Sequence, residues 1–124
     1  MANQFESQVY QLTNQERSRY SLRHLLWNDQ LYAAAINHSR DMARIRRMSH
    51  TGSNGSNISY RVKAQRYRYS MVAENVAAGQ LTPQHVVSSW MRSPGHRQNI
   101  LNPNLTEIGV GYCDGYWTQV FGKR

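Results

Sequence analysis

Two histidines and one glutamate are the residues of this chain whose types could do chemistry at a common site. His50 lies in the segment Ser-His-Thr-Gly, Glu74 in Ala-Glu-Asn-Val, and His96 in Pro-Gly-His-Arg. Glu74 is the sole acidic residue between Asp41 and Glu107, and its neighbours are largely apolar. A carboxylate in such surroundings must be hydrogen-bonded, paired with a cation, or protonated. If the fold brings the three side chains together, two neutral imidazoles and a carboxylate suit Zn²⁺, with one position left for water.

Structural explanations exist for the same residue types. A buried carboxylate often only fixes a turn by accepting hydrogen bonds from backbone donors. His50 and His96 are too far apart in sequence for a single-helix metal motif. The other histidines lack a comparable setting: His38 falls on the apolar stripe of a helix and is predicted to pack in the core, His85 is predicted to be exposed, and His24 has no motif around it.

Hydrophobic spacing predicts two amphipathic helices in the first third of the chain. The first has apolar residues at Phe5, Val9 and Leu12. The inward stripe of the second is formed by Leu31, Ala35, His38, Met42 and Ile45. Asn28 is the predicted N-cap of this second helix, and its C-terminal end leads directly to His50.

The remainder of the chain predicts shorter helices followed by a small sheet. Asn57, Thr82 and Ser93 each occupy an N-cap position, the last two before a proline. Three segments have strand patterns: 70–78 with a break at 74–75, 107–113, and 116–121. An Asp-Gly turn joins the last two segments as an antiparallel pair. Helices first and strands last predict an α+β fold.

Composition predicts one domain over residues 1–124, since 40% of the residues are hydrophobic and none form a low-complexity tract. Cys113 is the single cysteine, which excludes an intramolecular disulfide, and we predict a buried thiol rather than a reactive one. No stretch is apolar enough for a membrane span, and the first residues lack the pattern of a signal peptide.

A net charge of +8 raises the hypothesis of a polyanion ligand. Basic and aromatic residues alternate through Tyr60, Arg61, Lys63, Arg66, Tyr67, Arg68 and Tyr69. In such a pattern the basic side chains can bind phosphates and the aromatic rings can stack on bases, but no known nucleic-acid-binding motif accompanies it. The same surface could bind anionic lipid, an envelope polymer or an acidic polysaccharide. It could also be a solvated basic face without a ligand.

The segments around His50, Glu74 and His96 together resemble the CAP superfamily, which comprises the cysteine-rich secretory, antigen 5 and pathogenesis-related-1 proteins, in its short bacterial form. The resemblance implies an α-β-α sandwich with a small antiparallel sheet between helical layers, and a cleft where two histidines and two acids meet. The second acid would follow Trp90 by three positions, where this chain has Ser93. Many relatives are rich in disulfides, which this chain cannot form.

The resemblance implies a binding module that works outside the cell or in the cell envelope, with any signal or anchor lying outside this sequence. We expect its cleft to hold zinc weakly through His50, Glu74 and His96. We expect a lipid, sterol-like or anionic envelope ligand to bind there, with Glu74 and Arg97 as binding residues. Two alternatives stay open: a metal-assisted hydrolase with Glu74 as base, although no catalytic motif is recognised, and a nucleic-acid-binding protein, which we disfavour.

Overall fold

The computed structural model describes residues 2–124, so Met1, the first residue of the predicted domain, lies outside the described residues. Within that range the chain folds into five helices and four strands. In chain order they are α1 (Gln4–Arg19), β1 (Leu26–Trp27), α2 (Asp29–Ile45), α3 (Ile58–Ala64), β2 (Met71–Ala78), α4 (Pro83–Met91), α5 (Pro94–Ile100), β3 (Glu107–Cys113) and β4 (Tyr116–Lys123). The predicted α+β class is confirmed.

The strands form one sheet in the order β1-β3-β4-β2. β3 pairs with β4 in antiparallel fashion, as predicted. β2 pairs with the other edge of β4, also antiparallel. The sheet is nevertheless mixed, because β1 pairs with β3 in parallel at the edge. Asp114 and Gly115, with φ of 47° and 88°, form the tight turn between β3 and β4, and φ is positive at both central residues, as a type I′ turn requires.

Helix α2 lies directly on the sheet because two positions of β3 carry no side chain. A Cβ on Gly109 would collide with the backbone of Leu31 and Tyr32, and a Cβ on Gly111 with the backbone of Ala35 and Ile36. The close approach of α2 therefore explains why glycine occupies both positions of β3.

Apolar side chains fill both faces of the sheet. On one face, α1, α4 and α5 enclose a core that includes Val9, Trp90, Ile100, Trp117 and Phe121. On the other face, α2 and α3 enclose a smaller core that includes Leu31, Ala35, Val62, Tyr67 and Val120. Helices therefore cover the sheet on both sides, and the predicted α-β-α sandwich is confirmed.

Local capping follows the sequence with one exception. The side chains of Asn28, Asn57 and Thr82 each accept a hydrogen bond from a backbone N–H in the first turn of α2, α3 and α4. Ser93 precedes α5 as predicted, but its side chain makes no capping bond. Instead, the Ser93 hydroxyl lies 2.9 Å from the ring of His96. The cap prediction for Ser93 is therefore wrong, because the histidine competes for the hydroxyl.

Strand β2 departs from its sequence pattern. The expected break at Glu74 and Asn75 does not occur, and both residues pair with β4 inside a continuous ladder. The polar side chains are accommodated because each finds buried partners in the tertiary structure.

Cys113 is the last residue of β3 and is half-buried. Burial raises the pKa of its thiol, and the nearby Asp114 carboxylate raises it further. None of the helices within residues 2–124 is long and apolar enough to cross a membrane.

Candidate functional site

Strand β2 carries polar side chains on both faces of the sheet. Glu74 pairs with Val120, so its side chain lies on the face covered by α2 and α3. Asn75 pairs with Gln119 and points to the opposite face, because successive side chains of a strand alternate. The Glu74 side chain is only 2% exposed, and an ionised carboxyl at that depth requires compensation.

Arg61 of α3 supplies that compensation. Its Nη2 donates to both carboxylate oxygens of Glu74, at 2.9 Å to Oε1 and 2.7 Å to Oε2. The same guanidinium donates to the carbonyl oxygens of His50 at 3.0 Å and Ser56 at 2.8 Å. Arg61 therefore neutralises Glu74 and also ties the loop between α2 and α3 to the sheet.

His50 lies on the solvent side of this ion pair. Its Nδ1 is 2.9 Å from Glu74 Oε1, and its side chain is 61% exposed. The hydrogen bond to Glu74 raises the pKa of His50, against the smaller opposing effect of burial. Because a carboxylate only accepts hydrogen bonds, Nδ1 carries the proton and the neutral ring keeps its lone pair on Nε2.

His96 is held by α5 and by the opposite face of β2. Its Nδ1 lies 2.9 Å from Ser93 Oγ, and its carbonyl accepts a hydrogen bond of 3.1 Å from Asn75. Burial lowers the pKa of His96, and the positive charge of His50 lowers it further. The two imidazoles are therefore near enough to influence each other electrostatically.

Buried amides continue from His96 into the core. Asn75 Nδ2 donates to Gln119 Oε1 at 3.0 Å, and Gln119 Nε2 donates to Thr13 Oγ1 at 2.7 Å. Asn99 donates to the side chain of Asn75 at 2.9 Å and to the backbone carbonyl of Glu74 at 3.3 Å. This network fixes the middle of β2, where Glu74 and Asn75 lie, because each of the three amides takes part in at least two hydrogen bonds.

The sequence reasoning missed the role of Arg61, which it grouped with the basic surface. Arg61 is buried, and so is Tyr67, whose hydroxyl donates to Glu107 at 2.6 Å. The predicted run of exposed basic and aromatic residues is therefore wrong at these two positions. An available signal was the isolated carboxylate of Glu74, which required a cation near it.

Arg97, predicted as a binding residue, turns toward α1. Its guanidinium contacts the Tyr20 hydroxyl and lies 5.0 Å from the centre of the Tyr20 ring. His38 is buried in the core as predicted, with Nε2 donating to the Ser49 carbonyl at 2.7 Å. His24 and His85 are exposed.

The donors available for a metal are the Nε2 atoms of His50 and His96. Both oxygens of Glu74 already accept hydrogen bonds from Arg61, and one also bonds His50. In the part of the chain that the structure describes, no group of three or more His, Cys, Asp or Glu side chains is placed to hold one metal ion. Two histidines, one of them with its other ring nitrogen bonded to a carboxylate, still match the way proteins orient metal-binding imidazoles.

Comparison with known proteins agrees with this architecture. The family model described as the cysteine-rich secretory protein family, CAP, matches residues 10–121. The chain belongs to the CAP family. It is 40% identical over 119 residues to the Bacillus subtilis (strain 168) protein YkwD, covering 94% of this chain and 46% of that protein. It thus spans less than half the length of the curated relatives it matches.

Solved structures show the same fold. An extracellular protein containing an SCP domain from Bacillus anthracis superposes with a TM-score of 0.93 at 34% identity, covering 96% of this chain and 40% of that chain. An outer surface protein from Borrelia burgdorferi superposes with a TM-score of 0.86 at 23% identity, covering 100% of this chain and 96% of that one. The second likeness concerns the fold alone.

Proposed function

We propose that this chain is an extracellular CAP-domain binding module whose cleft holds a divalent metal ion weakly between His50 and His96 and binds an anionic envelope ligand. Support for an extracellular location comes from the extracellular SCP-domain protein of B. anthracis and the outer surface protein of B. burgdorferi, which share this fold. Binding rather than catalysis fits a site whose single carboxylate is already neutralised.

The arrangement of the two imidazoles carries the metal proposal. Glu74 fixes the orientation and tautomer of His50, and Ser93 holds the ring of His96. Each ring has its Nδ1 engaged, which leaves Nε2 as the donor. A bound Zn²⁺ would supply a positive charge and exchangeable water positions for a ligand. Glu74 acts on the metal through His50, because its own oxygens face Arg61 and the His50 Nδ1.

Calorimetry with ZnCl₂ tests this proposal. The wild-type chain should bind one Zn²⁺ with a dissociation constant on the order of 10–100 μM, and affinity should fall as pH drops, because imidazoles must be neutral to coordinate. His50→Ala and His96→Ala should each abolish the heat. Glu74→Gln should weaken binding by roughly ten- to a hundredfold, as expected for the loss of a carboxylate that orients a ligand.

His85→Ala is the matched control, because His85 is exposed on α4 and outside the cleft. Ser93→Glu is an informative gain-of-function variant, since it restores an acid at the position where the wider family has one. If a variant that combines His50→Ala with His96→Ala still bound Zn²⁺ undiminished, the metal would lie elsewhere and the proposal would be refuted.

An anionic ligand is favoured by the net charge of +8 and by the exposed Lys63, Arg66 and Arg68. Binding to vesicles containing phosphatidylglycerol should weaken steeply between about 50 and 300 mM NaCl, because screening and counterion release dominate such contacts. Vesicles of neutral phosphatidylcholine are the comparison. Equal binding to both would refute charge-driven recognition.

The hydrolase and nucleic-acid alternatives receive less support. For Glu74 to take a proton from water, its ion pair with Arg61 would have to break. For bases to stack along the basic segment, Tyr67 would have to be exposed, yet it is buried under the Arg124 side chain. Only Tyr60 and the half-buried Tyr69 remain accessible from the three tyrosines of that segment.

A further inference from the structure

A groove with a cationic lining lies along the segment that joins α3 to β2. Its walls are formed by Lys63, Arg66, Tyr67, Arg68 and Tyr69, and we call it the basic groove. The three cationic residues are exposed, whereas Tyr67 is buried and Tyr69 is half-buried. None of the cleft residues His50, Glu74 and His96 lines this groove, so it is separate from the proposed metal cleft.

The backbone of the basic groove is fixed by the end of α3. Arg66 adopts the left-handed conformation, with φ of 63°, and its N–H donates to the Lys63 carbonyl at 2.9 Å. The Tyr67 N–H donates to the Val62 carbonyl at 3.0 Å, which completes a Schellman motif. Gln30 Nε2 donates to the Arg66 carbonyl at 3.3 Å. The cationic side chains therefore project from a backbone that a ligand does not have to order.

Tyr67 anchors the groove to the sheet. Its hydroxyl donates to Glu107 at 2.6 Å, and a Cβ on Gly122 of β4 would collide with its ring. Arg124 covers the same ring, with its guanidinium carbon 5.8 Å from the ring centre, and its Nη2 lies 2.8 Å from Glu107 Oε2. Because Glu107 already has its own arginine, it does not compete for the three cations of the groove.

The three cations have no acidic partner within residues 2–124. The five ion pairs of this part of the chain involve Arg19, Arg44, His50, Arg61 and Arg124 instead. Between Asp41 and Glu107 the sole acidic residue is Glu74, which is buried against Arg61. Like charges that line one groove repel each other, and a bound anion relieves this repulsion. The basic groove is therefore suited to an anionic ligand.

The surroundings of the groove favour a soluble polymer over a bilayer. Electrostatic attraction by a few basic side chains holds a protein only weakly on a membrane, unless apolar side chains also enter the hydrocarbon. The exposed large apolar residues within residues 2–124 are Tyr20, Leu26, Ile45, Met48, Tyr60 and Leu81, and none of them lines the groove. The groove therefore offers positive charge without an apolar membrane anchor.

The chemistry of the lining favours phosphate groups over sugar rings or bases. Tyr67 is buried, and the Tyr69 hydroxyl is hydrogen-bonded to Ser59. Lys63 Nζ lies 5.8 Å from the centre of the Tyr69 ring, so little aromatic surface is left for stacking. Arg66 and Arg68 carry planar guanidinium groups, which match the two unesterified oxygens of a phosphodiester in bidentate pairs.

We propose, building on the anionic ligand proposed above for this module, that the basic groove binds a linear phosphodiester polymer of the poly(glycerol phosphate) type. Lys63, Arg66 and Arg68 each contact a phosphate group of the same chain. A single phosphate is bound weakly, because long exposed side chains must be ordered for one contact. Further phosphates on the same chain bind at a high effective concentration, so affinity increases with the number of repeats.

Fluorescence polarisation with end-labelled poly(glycerol phosphate) tests the proposal. A chain of about 15 repeats should bind with a dissociation constant on the order of 10 μM in about 50 mM NaCl, and free glycerol phosphate should compete only at millimolar concentrations. The logarithm of the binding constant should fall against the logarithm of the salt concentration with a slope of about −2. Three phosphates on a flexible chain, at about −0.7 each, account for this slope.

Substitutions in the groove test the three contacts one by one. Lys63→Gln, Arg66→Gln and Arg68→Gln should each weaken binding roughly three- to tenfold and reduce the salt slope by about 0.7. The triple variant should lose at least about thirtyfold in affinity and most of the salt dependence. All three side chains are exposed, so the variants are expected to fold.

A matched triple variant separates the position of the cations from the net charge. Arg23→Gln, Arg40→Gln and Arg92→Gln together remove the same charge from exposed positions outside the groove, and they should weaken binding less than about threefold. His96→Ala should abolish Zn²⁺ binding and leave polymer binding intact, so the metal proposal and this one are tested separately.

Three outcomes would overturn the phosphodiester assignment. One is stronger binding to phosphatidylglycerol vesicles than to the polymer at equal phosphate concentration, which would leave the anionic-ligand proposal standing, whereas binding to neither would refute both. Another is binding of poly-L-glutamate or of single-stranded DNA more than about tenfold tighter than the polymer at equal charge. The third is equal affinity of the groove triple variant and the matched triple variant, which would locate binding elsewhere.

Discussion

Arg61 Nη2 lies 2.7 Å from Glu74 Oε2, and the two side chains, 9% and 2% exposed, form a buried ion pair directly behind the exposed ring of His50. The pair joins α3 to β2 and also fixes the His50 backbone through its carbonyl. The position of the exposed His50 ring therefore depends on a contact that solvent hardly reaches.

Replacing Arg61 should destabilise the fold more than replacing any exposed arginine. Arg61→Met leaves the Glu74 carboxylate buried without its cation, and the free energy of unfolding should fall by about 3–5 kcal/mol. Urea denaturation measures the change. Adding Glu74→Gln to Arg61→Met should recover a large part of the loss, since the uncompensated charge disappears.

Arg68→Ala is the control for that experiment, because Arg68 is exposed and should change stability by no more than about 0.5 kcal/mol. A loss below about 1 kcal/mol in Arg61→Met would contradict the conclusion that Arg61 compensates Glu74.

The pKa values of His50 and His96 should shift in opposite directions from the ordinary value of about 6.5. His50 should have a raised pKa because of its hydrogen bond to Glu74, and His96 a lowered pKa because of burial and the charge of His50. NMR of the ring protons against pH measures both. Glu74→Gln should lower the pKa of His50, and His50→Gln should raise that of His96.

These shifts have opposite consequences for stability. The contribution of His50 is fully present below about pH 6.5 and is lost as pH rises through its folded pKa. His96 acts conversely: its contribution is present above about pH 6.5 and is lost as pH falls toward its lower folded pKa. Titration of the two rings in the reverse order would contradict the assignment of Glu74 as the partner of His50.

Adding a methyl group to Gly109 should be among the most damaging single changes in the sheet. The new Cβ would meet the backbone of α2 at Leu31 and Tyr32, which cannot yield without moving the helix. Gly109→Ala should lower the melting temperature and the free energy of unfolding, the latter by about 3 kcal/mol or more.

Gly95→Ala is the matched substitution for comparison, since a Cβ on Gly95 in α5 meets nothing within 4 Å. Alanine favours a helix, so this variant should be neutral or stabilised by up to about 1 kcal/mol. A Gly109→Ala protein as stable as Gly95→Ala would show that α2 does not approach the strand as closely as described.

Asp41 should stabilise the loop between α2 and α3 down to acidic pH. Although burial favours the protonated carboxyl, hydrogen bonds from Ser53 and the charge of Arg44 lower the pKa of Asp41 to about 2. Its contribution, about 1–2 kcal/mol, is present above pH 3.8 and is lost as pH falls toward 2.

Amide hydrogen exchange of Ser53 and Gly55, followed from about pH 5 to about pH 2.5, tests this expectation. At the upper end of that range, Asp41→Asn should lower the protection factors of these loop amides, which compare exchange with the intrinsic rate at each pH. They should fall to the values that the wild type reaches only in acid. Asp114→Asn, in the turn between β3 and β4, is the control and should leave the loop unchanged. Equal protection of the loop in Asp41→Asn and the wild type would contradict the role of Asp41.

Local sequence signals determined most of the secondary structure. The apolar periodicity of α1 and α2, the caps at Asn28 and Asn57, and the Asp-Gly turn all act between residues close in sequence, so their pattern is visible in the chain itself. The resemblance of short motifs to the CAP family supplied the layered arrangement and named His50, Glu74 and His96. The continuity of β2 through Glu74 was not predictable, because apolar patterning treats a buried acid as an interruption.

Only the tertiary structure determined which residue neutralises the buried Glu74 carboxylate and which residues face solvent. Arg61 looks like one basic residue among several in the sequence, and it becomes the cation of Glu74 only because α3 packs against β2. The pairing of β1 with β3 likewise joins segments some 80 residues apart. Such contacts depend on the summed geometry of several packed elements, whereas periodicity and capping depend on the local backbone alone.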